Sequence, residues 1–203
     1  MTDRYFKIYK QFEDFSKVIS NINLEDDNDY LDNGRNDIYD RLRLPIRMFK
    51  GTKQKYIDSL IKDYFNIDEF VFSVIDSEGT SRIHSDTYYK KEPNLQRYCN
   101  FAFPLSGDFN SRLTYWPNLS KLDSLDVFKN SFLKDENLQN YIDSNKWHCS
   151  ILHKQYQPVL LNTSIPHAVL GNGKSLFAYI TLIGKSYEDC AALYDNISNS
   201  ATI

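Results

Sequence analysis

Pro158-Val159-Leu160-Leu161-Asn162-Thr163-Ser164-Ile165-Pro166-His167-Ala168-Val169 holds the change of pattern on which the fold is read. An apolar run spanning Gln157 to Asn162 has the composition of a buried strand. It stops at a polar break, and a histidine follows a proline. Proline fixes φ and ends regular pairing, which suits presenting the next side chain into a cavity. A short strand over Ala168–Leu170 follows, then Gly171-Asn172-Gly173, a tight-turn signal, then a third strand over Leu176–Ile183.

Working back towards the N-terminus, strand signals continue. Phe70-Val71-Phe72-Ser73-Val74-Ile75 is β-branched and aromatic, with a Ser77-Glu78-Gly79 turn before a run from Arg82 to Tyr89. Tyr98–Leu105 is strand-like and is expected to end at Pro104 and the Ser106-Gly107-Asp108 turn; Leu113–Trp116 is another short strand. Residues 119–147 are polar with scattered apolar positions and read as a partly helical insertion. Before residue 69 the period is helical. Phe12, Phe15, Val18, Ile19 and Ile22 form one stripe, and Tyr56, Leu60, Ile61 and Tyr64 another, the second capped by Thr52. Residues 23–40, rich in Asn and Asp, read as a loop. The pattern predicts one α+β, mainly β domain over 1–203. It has a mainly helical support at 1–68, a β-sandwich or barrel core at 69–184, and a C-terminal tail at 185–203.

Composition narrows the function classes. The chain has 203 residues, 41% hydrophobic and 15% aromatic, enough for a real core. A net charge of −3 lacks the basic stripe that a duplex-binding protein needs, so a nucleic-acid partner is not expected. Cys99, Cys149 and Cys190 are odd in number, widely spaced and without a CxxC pair, which predicts a reducing compartment and no zinc knuckle. The charged stretch Met1–Lys10 and the lack of a membrane-length apolar run lead to the expectation of a cytoplasmic protein with no membrane partner.

Four histidines are present: His84, His148, His153 and His167. His84 and Asp86 are two apart, so on a strand they share a face and can reach one ion. An isolated His-x-Asp is a weak signal, and a surface strand produces it often. His167, 81 residues after Asp86 and just past the apolar run ending at Asn162, is the candidate third ligand. Iron(II) accepts such a nitrogen and oxygen set and keeps open positions. His148 and His153 are read as surface or core-satisfied histidines.

At these residues the chain resembles the iron(II)- and 2-oxoglutarate-dependent oxygenases, over roughly Phe70 to Gly184. Ile83-His84-Ser85-Asp86-Thr87 is similar to the proximal metal motif, and Arg97–Gly107 to the strand that follows it. Pro158–Val169 is similar to the distal histidine segment of small phage and bacterial members. The resemblance implies a double-stranded β-helix (jelly-roll, cupin-like) core with the N-terminal helices packed on one sheet. It implies Fe(II) held by His84, Asp86 and His167, with 2-oxoglutarate and O2 consumed as a substrate is hydroxylated and succinate and carbon dioxide are formed.

The family pairs the remote carboxylate of 2-oxoglutarate with a basic side chain, most often an Arg about ten residues after the distal histidine. This chain departs from that pattern, with Lys174 seven residues on and no Arg beyond it. Lys174 shares strand parity with Leu176, Ala178 and Ile180, so it points inward if they do; an exposed turn lysine is the plain reading. Arg97 is the rival anchor. Asn100 and Tyr115 are candidates to hydrogen-bond the same ligand, or are ordinary strand residues. Arg82 reads as solvent-facing. The substrate, a small molecule or a peptide or protein side chain, is not specified by the sequence. The alternative function is a non-catalytic metal- or ligand-binding β-helix protein. A cupin-like enzyme without co-substrate would cluster more histidines on its strands.

Overall fold

The computed structural model describes residues 3–24, 46–47, 51–68, 70–78, 99–117, 147–171, 173–182 and 184–200. Nine strands are found among them: β1 (Phe6–Ile8), β2 (Ile46–Arg47), β3 (Val71–Glu78), β4 (Cys99–Gly107), β5 (Leu113–Pro117), β6 (Trp147–Leu152), β7 (Val159–Asn162), β8 (Ala168–Leu170) and β9 (Lys174–Thr181). The helices are α1 (Glu13–Ser20), α2 (Gly51–Phe65) and α3 (Tyr187–Ser200), with a 3-10 turn at Lys10–Phe12. The architecture is α+β and mainly β. None of the described helices is long and apolar enough to cross a membrane.

The described strands form two antiparallel sheets. One has the order β1-β7-β4-β9-β3-β2, the other β6-β5-β8. The chain crosses between them repeatedly: β4 lies in the larger sheet, β5 and β6 in the smaller, β7 in the larger, β8 in the smaller, and β9 returns between β3 and β4. β7 is buried at all four residues, which accounts for its uninterrupted apolar sequence. Leu160 joins the core on one side of its sheet, and Val159 and Leu161 join the core on the other.

The helices cover one face of the six-stranded sheet. Phe15 and Ile19 of α1, Ile57, Ile61 and Phe65 of α2, and Cys190 and Tyr194 of α3 pack with Phe72, Phe101, Phe103 and Ile180 of the strands. The opposite face meets the smaller sheet through Ala102, Val159, Leu161 and Phe177 against Trp116 and Ile151. Buried Arg112, Thr114 and His153 lie towards this second face.

Four observations differ from the sequence expectations. The N-terminal region contributes β1 and β2 to the larger sheet, paired with β7 and β3 respectively. β4 continues through Pro104 to Gly107 with a register shift between Pro104 and Ser106. Its pairing with β7 has ended at Ala102, so the missing N–H of proline costs little there. β6 occupies residues that begin at the edge of the expected insertion, whose remainder (119–146) lies outside the described residues. The expected tail is largely α3. Its start is a reciprocal cap, with the Asp189 N–H donating to Ser186 Oγ at 3.0 Å and the Ser186 N–H to Asp189 Oδ2 at 3.2 Å.

Candidate functional site

His167 immediately precedes β8 and is buried, with 5% of its surface exposed. Two features of the preceding segment hold it there. Asn162 closes β7, its Nδ2 donating to the Arg4 carbonyl and its Oδ1 accepting from Ser164 Oγ. His167 Nδ1 then lies 3.0 Å from the Ile165 carbonyl. A carbonyl can only accept, so Nδ1 carries the proton and Nε2 is the nitrogen with the lone pair. That tautomer is compatible with metal binding through Nε2.

Strand register fixes which way His167 faces. Val169 pairs with Thr114, and Ala168 with Tyr115. Alternation puts His167 and Val169 on the face that carries Thr114 and Trp116. Trp116 belongs to the inter-sheet core, so this face looks into the space between the sheets. Trp116 Nε1 donates to the Asn162 carbonyl at 3.0 Å, tying β5 to the end of β7 beside the histidine segment.

The same face carries a second polar group at the other end of the β5/β8 pair. Arg112 is fully buried. Its Nη2 donates to the Gly173 carbonyl at 2.6 Å, and a Cβ on Gly171 would lie 2.9 Å from its Nε. The Gly171–Gly173 turn thus wraps the guanidinium, and glycine at 171 makes the room. Burial lowers the Arg112 pKa from its ordinary value, while Tyr179 and Asp108 act in the opposite sense. His153 is also buried, with Nε2 2.8 Å from Thr114 Oγ1 and its ring edge-on to Phe177. Its Nδ1 has no hydrogen-bond partner among the described residues. Burial, and then the Arg112 charge, push its pKa down to about 3, so the ring is neutral at ordinary pH.

The other expected site residues divide as follows. His84, Asp86 and Arg97 lie outside the described residues, as does Arg82. Asn100 is partly buried and receives Thr181 Oγ1 on its Oδ1 at 2.6 Å; alternation from Phe101 puts it on the inter-sheet face. Tyr115 is fully buried, but alternation puts it on the face opposite Trp116, away from that space. Lys174 is exposed at the head of β9. It does share a face with Leu176, Ala178 and Ile180, but that face packs on the helices. The residues of β9 that line the inter-sheet space are of the other parity, including Phe177 and Tyr179. Inward for Lys174 is therefore the helix side of the sheet and not the inter-sheet side.

Sequence reading passed over Arg112 because it stands before a short strand, far along the chain from His167. The available signal was the glycine pair at 171 and 173, which marks a close approach to the turn as well as the turn itself. Among the described residues no group of three His, Cys, Asp or Glu side chains is placed to hold a metal. Two of the three expected ligands are outside those residues.

The chain has distant similarity to several solved structures. HygX from Streptomyces hygroscopicus, with nickel, 2-oxoglutarate and hygromycin B, matches at 13% identity and a TM-score of 0.41, over 90% of this chain and 85% of that one. A Pseudomonas putida prolyl-4-hydroxylase matches at 10% identity and 0.40, over 90% and 96%. EvdO2 from Micromonospora carbonacea var. aurantiaca matches at 14% and 0.39, over 69% and 67%; its 2-oxoglutarate complex aligns over 64% of its length. No protein-family model matches the chain, and no curated protein matches it.

Proposed function

We propose that the protein is an iron(II)- and 2-oxoglutarate-dependent dioxygenase that hydroxylates a small-molecule or peptide substrate. One observation carries the reading. His167 is buried at the head of β8 on the inter-sheet face, its Nδ1 proton held by the Ile165 carbonyl and Nε2 left as the basic nitrogen. The clamp fixes the tautomer and the ring orientation, which is what a histidine that binds a metal through Nε2 requires. The crossing of the chain between two sheets supports a double-stranded β-helix for the core.

His84, Asp86 and His167 would hold the metal, a set suited to iron(II) with open positions. Arg112 would pair the remote carboxylate of 2-oxoglutarate, taking the part that the sequence pattern offers to Lys174 or Arg97. Arg112 and His167 lie on one face, separated by the four-residue step from Trp116 to Arg112 along β5, roughly 13 Å of strand. Two long side chains, a metal and a five-carbon diacid together bridge such a span. A carboxylate entering there relieves the cost of a buried cation. When bound, the metal and co-substrate supply the oxidising chemistry. The chain's own part is to fix the His167 ring, neutralise the carboxylate and exclude water with Trp116, Phe177 and Leu161.

Anaerobic addition of iron(II) and 2-oxoglutarate is expected to give a weak visible charge-transfer band. His84→Ala and His167→Ala should remove it. Arg112→Leu should retain metal binding and weaken 2-oxoglutarate binding by about a hundredfold, the scale of losing a buried charged pair. A folded protein that binds metal without 2-oxoglutarate affinity supports the non-catalytic reading instead. Absence of both overturns the proposal.

A further inference from the structure

Cys99 opens β4, and Cys190 lies in the first turn of α3. Both are buried free thiols, and their sulfurs are 2.7 Å apart although 91 residues separate them in sequence. We propose that Cys99 and Cys190 form a reversible disulfide that staples the C-terminal helix to the six-stranded sheet. The sequence expectation of three unrelated reduced cysteines does not anticipate this pairing, and nothing in the oxygenase reading requires it.

The surroundings favour a bond between these two thiols over other thiol chemistry. α3 is already fixed near this point, with Tyr9 Oη donating to Asp195 Oδ1 at 2.9 Å and Lys7 Nζ to Asp195 Oδ2 at 2.7 Å. Tyr194 is buried against Phe101 with ring centroids 4.5 Å apart. The sulfurs therefore meet without the helix having to travel. The facing Cys190 thiol and then burial hold the Cys99 pKa above the ordinary thiol range, so the Cys99 thiol rests protonated and is slow to react. Cys149 is the internal control, partly buried and on the smaller sheet.

The chemistry needs an oxidant, for which a small disulfide such as oxidised glutathione serves. A thiolate of the pair attacks it and releases one reduced glutathione. The second thiolate then attacks the mixed disulfide and releases another. One Sγ–Sγ bond forms, two thiol protons are lost, and the glutathione disulfide is reduced. Attack on the first thiol requires α3 to lift transiently, which makes formation slow in the native protein.

The test uses the full chain. Reduced protein is equilibrated with oxidised glutathione, both in the native state and during refolding from denaturant, where burial offers no protection. Remaining thiols are alkylated after denaturation, and peptides are mapped by mass. A Cys99–Cys190 cross-linked peptide in either sample, with Cys149 outside it, is the expected result. The oxidised protein should melt roughly 10 °C higher, as closing a loop of this length implies for a chain of this size. Cys99→Ser and Cys190→Ala should each abolish both effects. The proposal is overturned if both samples keep Cys99 and Cys190 alkylatable, carry only mixed disulfides, or pair through Cys149.

Discussion

His153 and His167 are both buried, and their hydrogen bonds give them opposite tasks. His167 is clamped through Nδ1 to a backbone carbonyl, whereas His153 spends Nε2 on Thr114 and sits in the field of Arg112. The consequence for His153 is a dependence of stability on pH. Its folded pKa of about 3 lies below the ordinary histidine value of 6.5, so between these limits the unfolded chain binds a proton that the folded chain refuses. Stability therefore falls as pH falls through that window, by up to about 1.4 kcal/mol per pH unit from this group. His153→Gln should flatten the slope of unfolding free energy between pH 6.5 and 5, above the main carboxylate range, while costing about 1–3 kcal/mol at neutral pH. Urea titrations at several pH values check this; an unchanged slope would show that His153 titrates normally. Legibility at this scale was uneven. His167 could be read because its neighbours Pro166 and the preceding apolar run announce it. Arg112 could not, because what makes it distinctive is burial between two sheets, and burial is set by strands far apart in sequence.

Elements were more legible than their ends. The β-branched and aromatic run Val71–Ile75 and the apolar run Val159–Asn162 specify strands by local composition. β4 runs two residues past its expected end at Leu105, since Pro104 is a stop signal only where a strand has partners on both sides. α3 was missed although Ser186 and Asp189 form its capping box and Tyr187, Cys190, Ala191 and Tyr194 have helical spacing. The signal is local, but the short polar stretch before it resembles the loops between strands. The end of β4 carries a test of how tightly the central strands are joined. Gly107 has φ +113°, and a Cβ there would lie 2.3 Å from the Lys174 carbonyl and 2.6 Å from Ser175 Cα. Both contacts are backbone of β9, which cannot yield without shifting the register that places Phe177 and Tyr179 inward. Gly107→Ala should therefore cost more than the usual 1 kcal/mol of a glycine replacement, about 3 kcal/mol or beyond, with a lowered urea midpoint. A loss below 1 kcal/mol would mean that the strand end moves freely.

Seen across the whole molecule, the six-stranded sheet divides labour between its faces. The helix face holds the larger core: Phe101 alone has ring contacts with Tyr9, Phe12, Phe65, Phe103 and Tyr194. The inter-sheet face mixes Phe177, Trp116 and Ile151 with buried Arg112, Thr114, His153 and His167. Stability should follow the first face and ligand binding the second. Two phenylalanines of similar burial separate these roles. Phe101→Ala leaves a void lined by aromatic rings, which stays dry and forfeits dispersion on every side, for an expected loss of about 4 kcal/mol. Phe177 touches Phe109, Tyr179 and the ring of His153, so Phe177→Ala opens a space that water can enter at its His153 side. Its cost should be smaller by about 1 kcal/mol or more. Binding should rank them the other way: Phe177→Ala admits water beside Arg112 and weakens 2-oxoglutarate binding, while Phe101→Ala, at a temperature where it remains folded, leaves it unchanged. Urea denaturation alongside 2-oxoglutarate titration of the nickel-loaded protein reads both quantities. Equal losses in both variants would mean that the two faces act as one core.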